Sequence, residues 1–156
     1  MLEASRIADQ LRRAFSGDAW HGSPLSELLS DVAADQAFAH PLPSAHTIWE
    51  LVLHIDAWVN AALQAAQGDV MPKLVGTDGD WPPIRDNSPQ VWVKTKAHFF
   101  EGAEQLAKAV AAFSDETTRH RSRPRLRFLS LVPRYCATQP LPWRPDRAAE
   151  EISRTE

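Results

Sequence analysis

Apolar residues recur at helical spacing along the first two-thirds of the chain. Ile7, Leu11 and Phe15 fall at four-residue steps between Leu2 and Phe15, with charge on the opposite side, which predicts an amphipathic helix. Ser23-Pro24-Leu25-Ser26-Glu27 reads as an N-cap, a first-turn proline and a following acid, opening a short helix to about Val32. In His40-Pro41-Leu42-Pro43 each proline pushes its predecessor out of the helical region, so extended chain is expected. A long helix then runs from about Ala45 to Gln67. Its stripe is Leu51, Val52, Ile55, Trp58, Val59 and Ala62, and Gly68 follows as a C-cap signal.

Residues 68–87 hold three glycines and three prolines and form a long connection. Such a crossover suits a bundle whose two joined helices run parallel. Ser88-Pro89 opens the next helix. Its seam is Trp92, Thr95, Phe99, Ala103, Leu106, Val110 and Phe113, at spacings of three and four. No segment before residue 116 reads as a strand. Three amphipathic helices are predicted, and their stripes call for a fourth to cover them.

Length and composition narrow the class. At 156 residues, 44% hydrophobic and 24% charged, the chain has ordinary globular values and the size of one domain. The single cysteine, Cys136, excludes an intramolecular disulfide framework and any Cys-rich zinc site. A formal charge of −3 gives no whole-chain case for nucleic acid. The opening MLEASRIADQLRR carries charge where an export signal needs an apolar run. The most apolar stretch, Ile48 to Ala66, is broken by Glu50, His54, Asp56 and Asn60, so no membrane span is expected. The expectation is a soluble, cytoplasmic protein.

Those averages conceal a break near residue 116. Residues 1–116 hold four lysines, four arginines and sixteen acidic residues, a net charge of −8. Residues 117–156 hold nine arginines, no lysine and four acidic residues, a net charge of +5. Pro124, Pro133, Pro140, Pro142 and Pro145 leave no run in which a helix of normal length propagates before Pro145. The chain divides into a helical part, 1–116, and an irregular Pro/Arg-rich tail, 117–156.

Three features of the helical part carry a resemblance. They are Ala19-Trp20-His21-Gly22 before the short helix, the HTIWELVLHIDAW helix with its His54, and Asp80-Trp81-Pro82 in the crossover. Residues 1–116 thereby resemble the DinB (damage-inducible, YfiT-like) superfamily. The resemblance implies an all-α four-helix bundle, here with three intact helices. It also implies one divalent metal, such as nickel or zinc, held by three histidines. One matches His54; the other two lie four residues apart on the last helix, in a pattern like H-x-x-x-H-x-G-Q. The implied activity is metal-dependent hydrolysis, or transfer using a low-molecular-weight thiol on a small-molecule substrate. As translated, the only histidine after residue 116 is His120, so of the three ligands only His54 remains. One neutral imidazole does not hold a divalent ion tightly, and metal binding is expected to be weak or absent.

The tail can be tested against the genetic code. Reading one nucleotide later, each new codon takes its first letter from the second letter of the old one. Its last letter comes from the first letter of the next codon, and only the middle letter is free. Thr138-Gln139 then permits histidine, Gln139-Pro140 asparagine, Pro140-Leu141 leucine, Leu141-Pro142 tyrosine and Pro142-Trp143 histidine. Trp143-Arg144 must give glycine, because GGN has no other meaning. Continued to Ile152, the shifted frame permits HNLYHGGQIALLKK, two histidines four apart followed by Gly-Gly-Gln and an apolar helix. The stretch His120 to Arg134 permits TVPGRDYDF, then an apolar run and a His-Gly pair. The residues from about Thr117 onward therefore read as an out-of-frame translation of a DinB-like last helix.

Other side chains have a structural and a chemical reading side by side. His21 lies at the mouth of the short helix, His46 near a helix start, and His98 beside Phe99. Trp49, Trp58 and Trp92 line a cofactor pocket or, at helical spacing, fill a core. Glu50 and Asp56 are acid–base groups, partners of a ligand, or solvated charges. Two competing functions remain. HRSRPRLR, His120 to Arg127, reads as a basic arm for nucleic acid, although out-of-frame GC-rich DNA also yields such strings. A stripe left bare by a missing helix reads as a non-catalytic module that forms a homodimer.

Overall fold

The periodic segments fold as helices in a computed structural model that describes residues 3–19, 22–42 and 44–113. The tail 117–156, His21 and His120 lie outside the described residues, and so do the expectations placed on them. Helices α1 (Glu3–Ser16), α2 (Leu25–Leu28), α3 (Ala34–Phe38), α4 (Ile48–Gln67) and α5 (Pro89–Ala111) follow in order, with no strand among the described residues. Among these helices none is long and apolar enough to cross a membrane.

The sequence pattern places α1 well, and the fully buried positions fall on the face it predicts. Ala4 and Ala8 are each 1% exposed, while the larger Ile7, Leu11 and Phe15 of the same face are half-buried. Phe15 packs on Phe99 with ring centroids 5.2 Å apart.

The short helix ends sooner than predicted, at Leu28 rather than near Val32, and its N-cap position is Pro24 rather than Ser23. Its end is held from α5. Lys96 Nζ donates to the carbonyls of Leu29 and Val32 at 3.2 and 3.4 Å, and Trp92 Nε1 donates to that of Val32 at 2.7 Å. With those carbonyls satisfied from outside, the chain needs no further helical turn. The single turn α3, which the hydrophobic pattern does not predict, starts with the Gln36 side chain accepting from Ala33 N–H at 2.9 Å.

Helix α4 begins three residues later than the predicted Ala45, because Thr47 caps it. The Thr47 hydroxyl oxygen accepts from Glu50 N–H at 3.1 Å, and the Glu50 carboxylate accepts from Thr47 N–H at 2.8 Å. Gly68 ends the helix as predicted, at φ 106°. Its N–H reaches Ala65 O at 3.2 Å while Asp69 N–H reaches Gln64 O at 3.0 Å, a Schellman-type stop.

The paired contacts fix helix directions. Going up α4, Trp49, Asp56 and Val59 face Trp92, His98 and Gly102 of α5 in the same order, so the two helices run parallel. The long crossover 68–87 is what parallel neighbours require. Arg12 faces Glu104 while Phe15 faces Phe99, so α1 runs antiparallel to α5. Helix α5 is central, with its main interfaces to α4 and α1. The core centres on Trp49, Trp92 and Phe99, with Val52, Leu29 and the α3 alanines around them. Of the predicted stripe, Leu51 is turned outward at 44% exposed, and beside it Ile48 is 39% exposed.

Candidate functional site around His54

The middle of α4 presents His54, and the crossover returns over it. Asp80, 8% exposed, lies in a turn held by its own N–H on Thr77 O at 3.1 Å. His54 Nδ1 lies 2.6 Å from the Asp80 carbonyl oxygen and 3.1 Å from its carboxylate Oδ1. Trp58, one turn further along α4, donates its indole N–H to the same Oδ1 at 2.8 Å. Asp80 thus ties two side chains of α4 to the crossover.

Trp81 completes the clasp. Its ring stacks on His54 with centroids 4.1 Å apart and 14° between planes, and on His46 with centroids 3.6 Å apart and 11° between planes. Two imidazoles at those distances do not fit side by side on one face, so the indole lies between them. His46 is in turn 3.4 Å from the Glu50 carboxylate, with His40 3.9 Å away on the same oxygen. Both sit on the outside of the α4 capping box. The backbone hydrogen bond from Thr47 leads in holding the Glu50 carboxyl below its usual range, with His46 contributing less. Glu50 is therefore a helix cap with two histidine neighbours.

A second cluster joins α4 to α5. His98 Nδ1 is 3.2 Å from each oxygen of the Asp56 carboxylate. Burial pushes the Asp56 carboxyl up, and the nearby His98 and Asn60 draw it part of the way back. Asp56 is thus a half-buried partner of His98 rather than a solvated charge. Trp49 and Trp92 form a tilted pair 4.9 Å apart in the core, 1% and 2% exposed.

Of the residues singled out from sequence, His54, Trp58 and His46 are brought together; His98 and Asp56 form a separate pair. His40 and the carbonyl of Asp80 carried no functional role in the sequence reading. Among the described residues no group of three or more His, Cys, Asp or Glu side chains could hold a metal ion. The Asp80 carboxylate already accepts from Trp58, and beside it His54 offers one further nitrogen. The described residues therefore supply one candidate ligand and not a closed site. Compared with family models, curated proteins and solved structures, the chain finds no match.

Proposed function

We propose that the chain is a DinB-like helical-bundle protein whose divalent-metal site is incomplete because its last helix is read out of frame. The family resemblance makes the complete protein a metal-dependent hydrolase or a transferase using a low-molecular-weight thiol. The observation that carries this reading is the clasp: His54 of the HTIWELVLHIDAW helix is held by Asp80-Trp81, and both segments also carry the resemblance. In the chain as translated, His54 is a lone ligand, and nickel or zinc binds weakly or not at all. In the shifted frame, histidines four apart on one helical face supply the two missing nitrogens.

The test has two parts. Sequencing the gene between the codons for Ser114 and Arg121 locates a single missing or added base. Calorimetry with nickel and zinc then compares the chain as translated with the frame-restored chain. A stoichiometric, submicromolar site in the restored chain alone is the expected result. Such a site in the chain as translated, or none in the restored chain, overturns the proposal.

A second reading rests on Ile48 and Leu51, which are 39% and 44% exposed on one side of α4. A helical module that dimerises through this stripe buries both. Light scattering that finds a dimer, and a monomer for Leu51→Glu, supports it; a monomeric wild type removes it.

A further inference from the structure

The crossover does more than cover His54. A backbone carbonyl only accepts hydrogen bonds. At 2.6 Å from the Asp80 carbonyl, Nδ1 of a neutral His54 therefore has to carry the ring proton, and the Asp80 carboxylate oxygen at 3.1 Å reinforces that choice. The proton is then absent from Nε2. No hydrogen-bond partner faces Nε2 among the described residues, although the side chain is only 17% exposed. The ring is also fixed in plane, since Trp81 stacks on it at 14° and is itself backed by His46. Trp58 closes the set from α4 by holding the Asp80 carboxylate in place.

We infer that the Asp80-Trp81 segment is a positioning device: it locks His54 in the Nδ1–H tautomer and presents the Nε2 lone pair, ready to ligate a cation. A hydrogen bond at one ring nitrogen sets which nitrogen is available at the other. This inference rests on the reading of His54 as a functional donor. It concerns this chain's own residues and is independent of the frame of its tail. Asp80 and Trp81 are positioning residues, acting through His54.

Nitrogen-15 spectroscopy of the imidazoles in the full-length, metal-free chain at about pH 8, where an unperturbed histidine is neutral, reads the tautomer directly. The expected spectrum gives His54 a protonated Nδ1 and a pyridine-like Nε2, the reverse of the form an unconstrained histidine favours. Trp81→Ala is expected to shift His54 towards the Nε2–H form, with circular dichroism unchanged because Trp81 lies outside the helices. Trp58→Phe, which frees the Asp80 carboxylate, is expected to give a smaller shift in the same direction. A wild-type His54 in the Nε2–H form overturns the inference, and that measurement stands even if a variant fails to fold. So does a tautomer that neither substitution moves in a folded variant. The result is separable from metal uptake: a restored chain that binds no nickel or zinc defeats the proposed function and leaves the tautomer result intact.

Discussion

His98 of α5 holds the Asp56 carboxylate of α4 with its Nδ1 3.2 Å from both oxygens. The pair bridges the two parallel helices at a position where burial opposes ionisation of the carboxyl. Because the Asp56 carboxyl is raised above 3.8, the folded state binds its proton more tightly than the unfolded chain does. Its favourable contribution is present below 3.8 and is lost as pH rises through the raised folded value. Removing the imidazole removes the influence that pulls the carboxyl back down. In His98→Ala, Asp56 is therefore expected to titrate at still higher pH, as followed by carbon-13 NMR of the carboxyl. A titration unchanged from wild type means that the contact does not form in solution.

Glu50 works with the opposite sign. Its carboxyl is lowered from 4.5, chiefly by the Thr47 backbone N–H. Its contribution is present above 4.5 and fades as pH falls through the lowered folded value. Thr47→Ala removes the other half of the capping box and is expected to cost about 1 kcal/mol, the usual value of such a cap. Urea unfolding at neutral pH measures it. Wild-type stability in that variant refutes the cap as the start of α4.

Gly102 sits in the middle of α5, where glycine is a poor helix former. A Cβ there would meet Val59 Cγ1 at 3.5 Å and Asp56 Oδ1 at 3.8 Å, ordinary contact distances. Gly102→Ala is expected to raise stability by roughly 0.5–1 kcal/mol through the reduced backbone entropy of the unfolded chain. The urea midpoint should move upward with its slope unchanged. A lower midpoint would show that α4 and α5 pack more tightly in solution than these distances allow.

Trp92 ties α5 to the end of the short helix through its indole N–H on Val32 O. Trp92→Phe keeps most of the buried ring and removes the donor. The cost expected for leaving the Val32 carbonyl short of a partner is about 1–3 kcal/mol. Lys96 Nζ, 3.4 Å from the same oxygen, offsets part of it. Amide exchange should quicken locally across residues 29–33. Exchange quickened everywhere by the same factor would point to global destabilisation instead.

The long helices were legible because their stripes are strongly periodic and their ends carry chemical marks. Gly68 and the first-turn Pro89 act as the sequence suggests, while Ser88 holds the N-cap position of α5 without a side-chain cap hydrogen bond, and the proline- and glycine-rich crossover joins parallel helices. Thr47-Ile48-Trp49-Glu50 also carried a capping-box signature, which places the start of α4 more accurately than hydrophobic periodicity did. Helix α3 has only five residues, too few for periodicity to register. Leu51 misled because an apolar residue on a helix has no intrinsic side; the position of α5 decides which are covered. His54 was named from sequence, but its pairing with Asp80 spans 26 positions and depends on how an irregular segment folds back. No local pattern encodes that.

The central place of α5 sets an order of opening. Releasing α1 breaks one main interface and releasing α4 breaks the other, whereas α5 comes free only when both are gone. Its middle amides, around Phe99 to Ala107, are therefore the slowest-exchanging reporters in the described bundle. Either outer helix can fray alone while the opposite half persists.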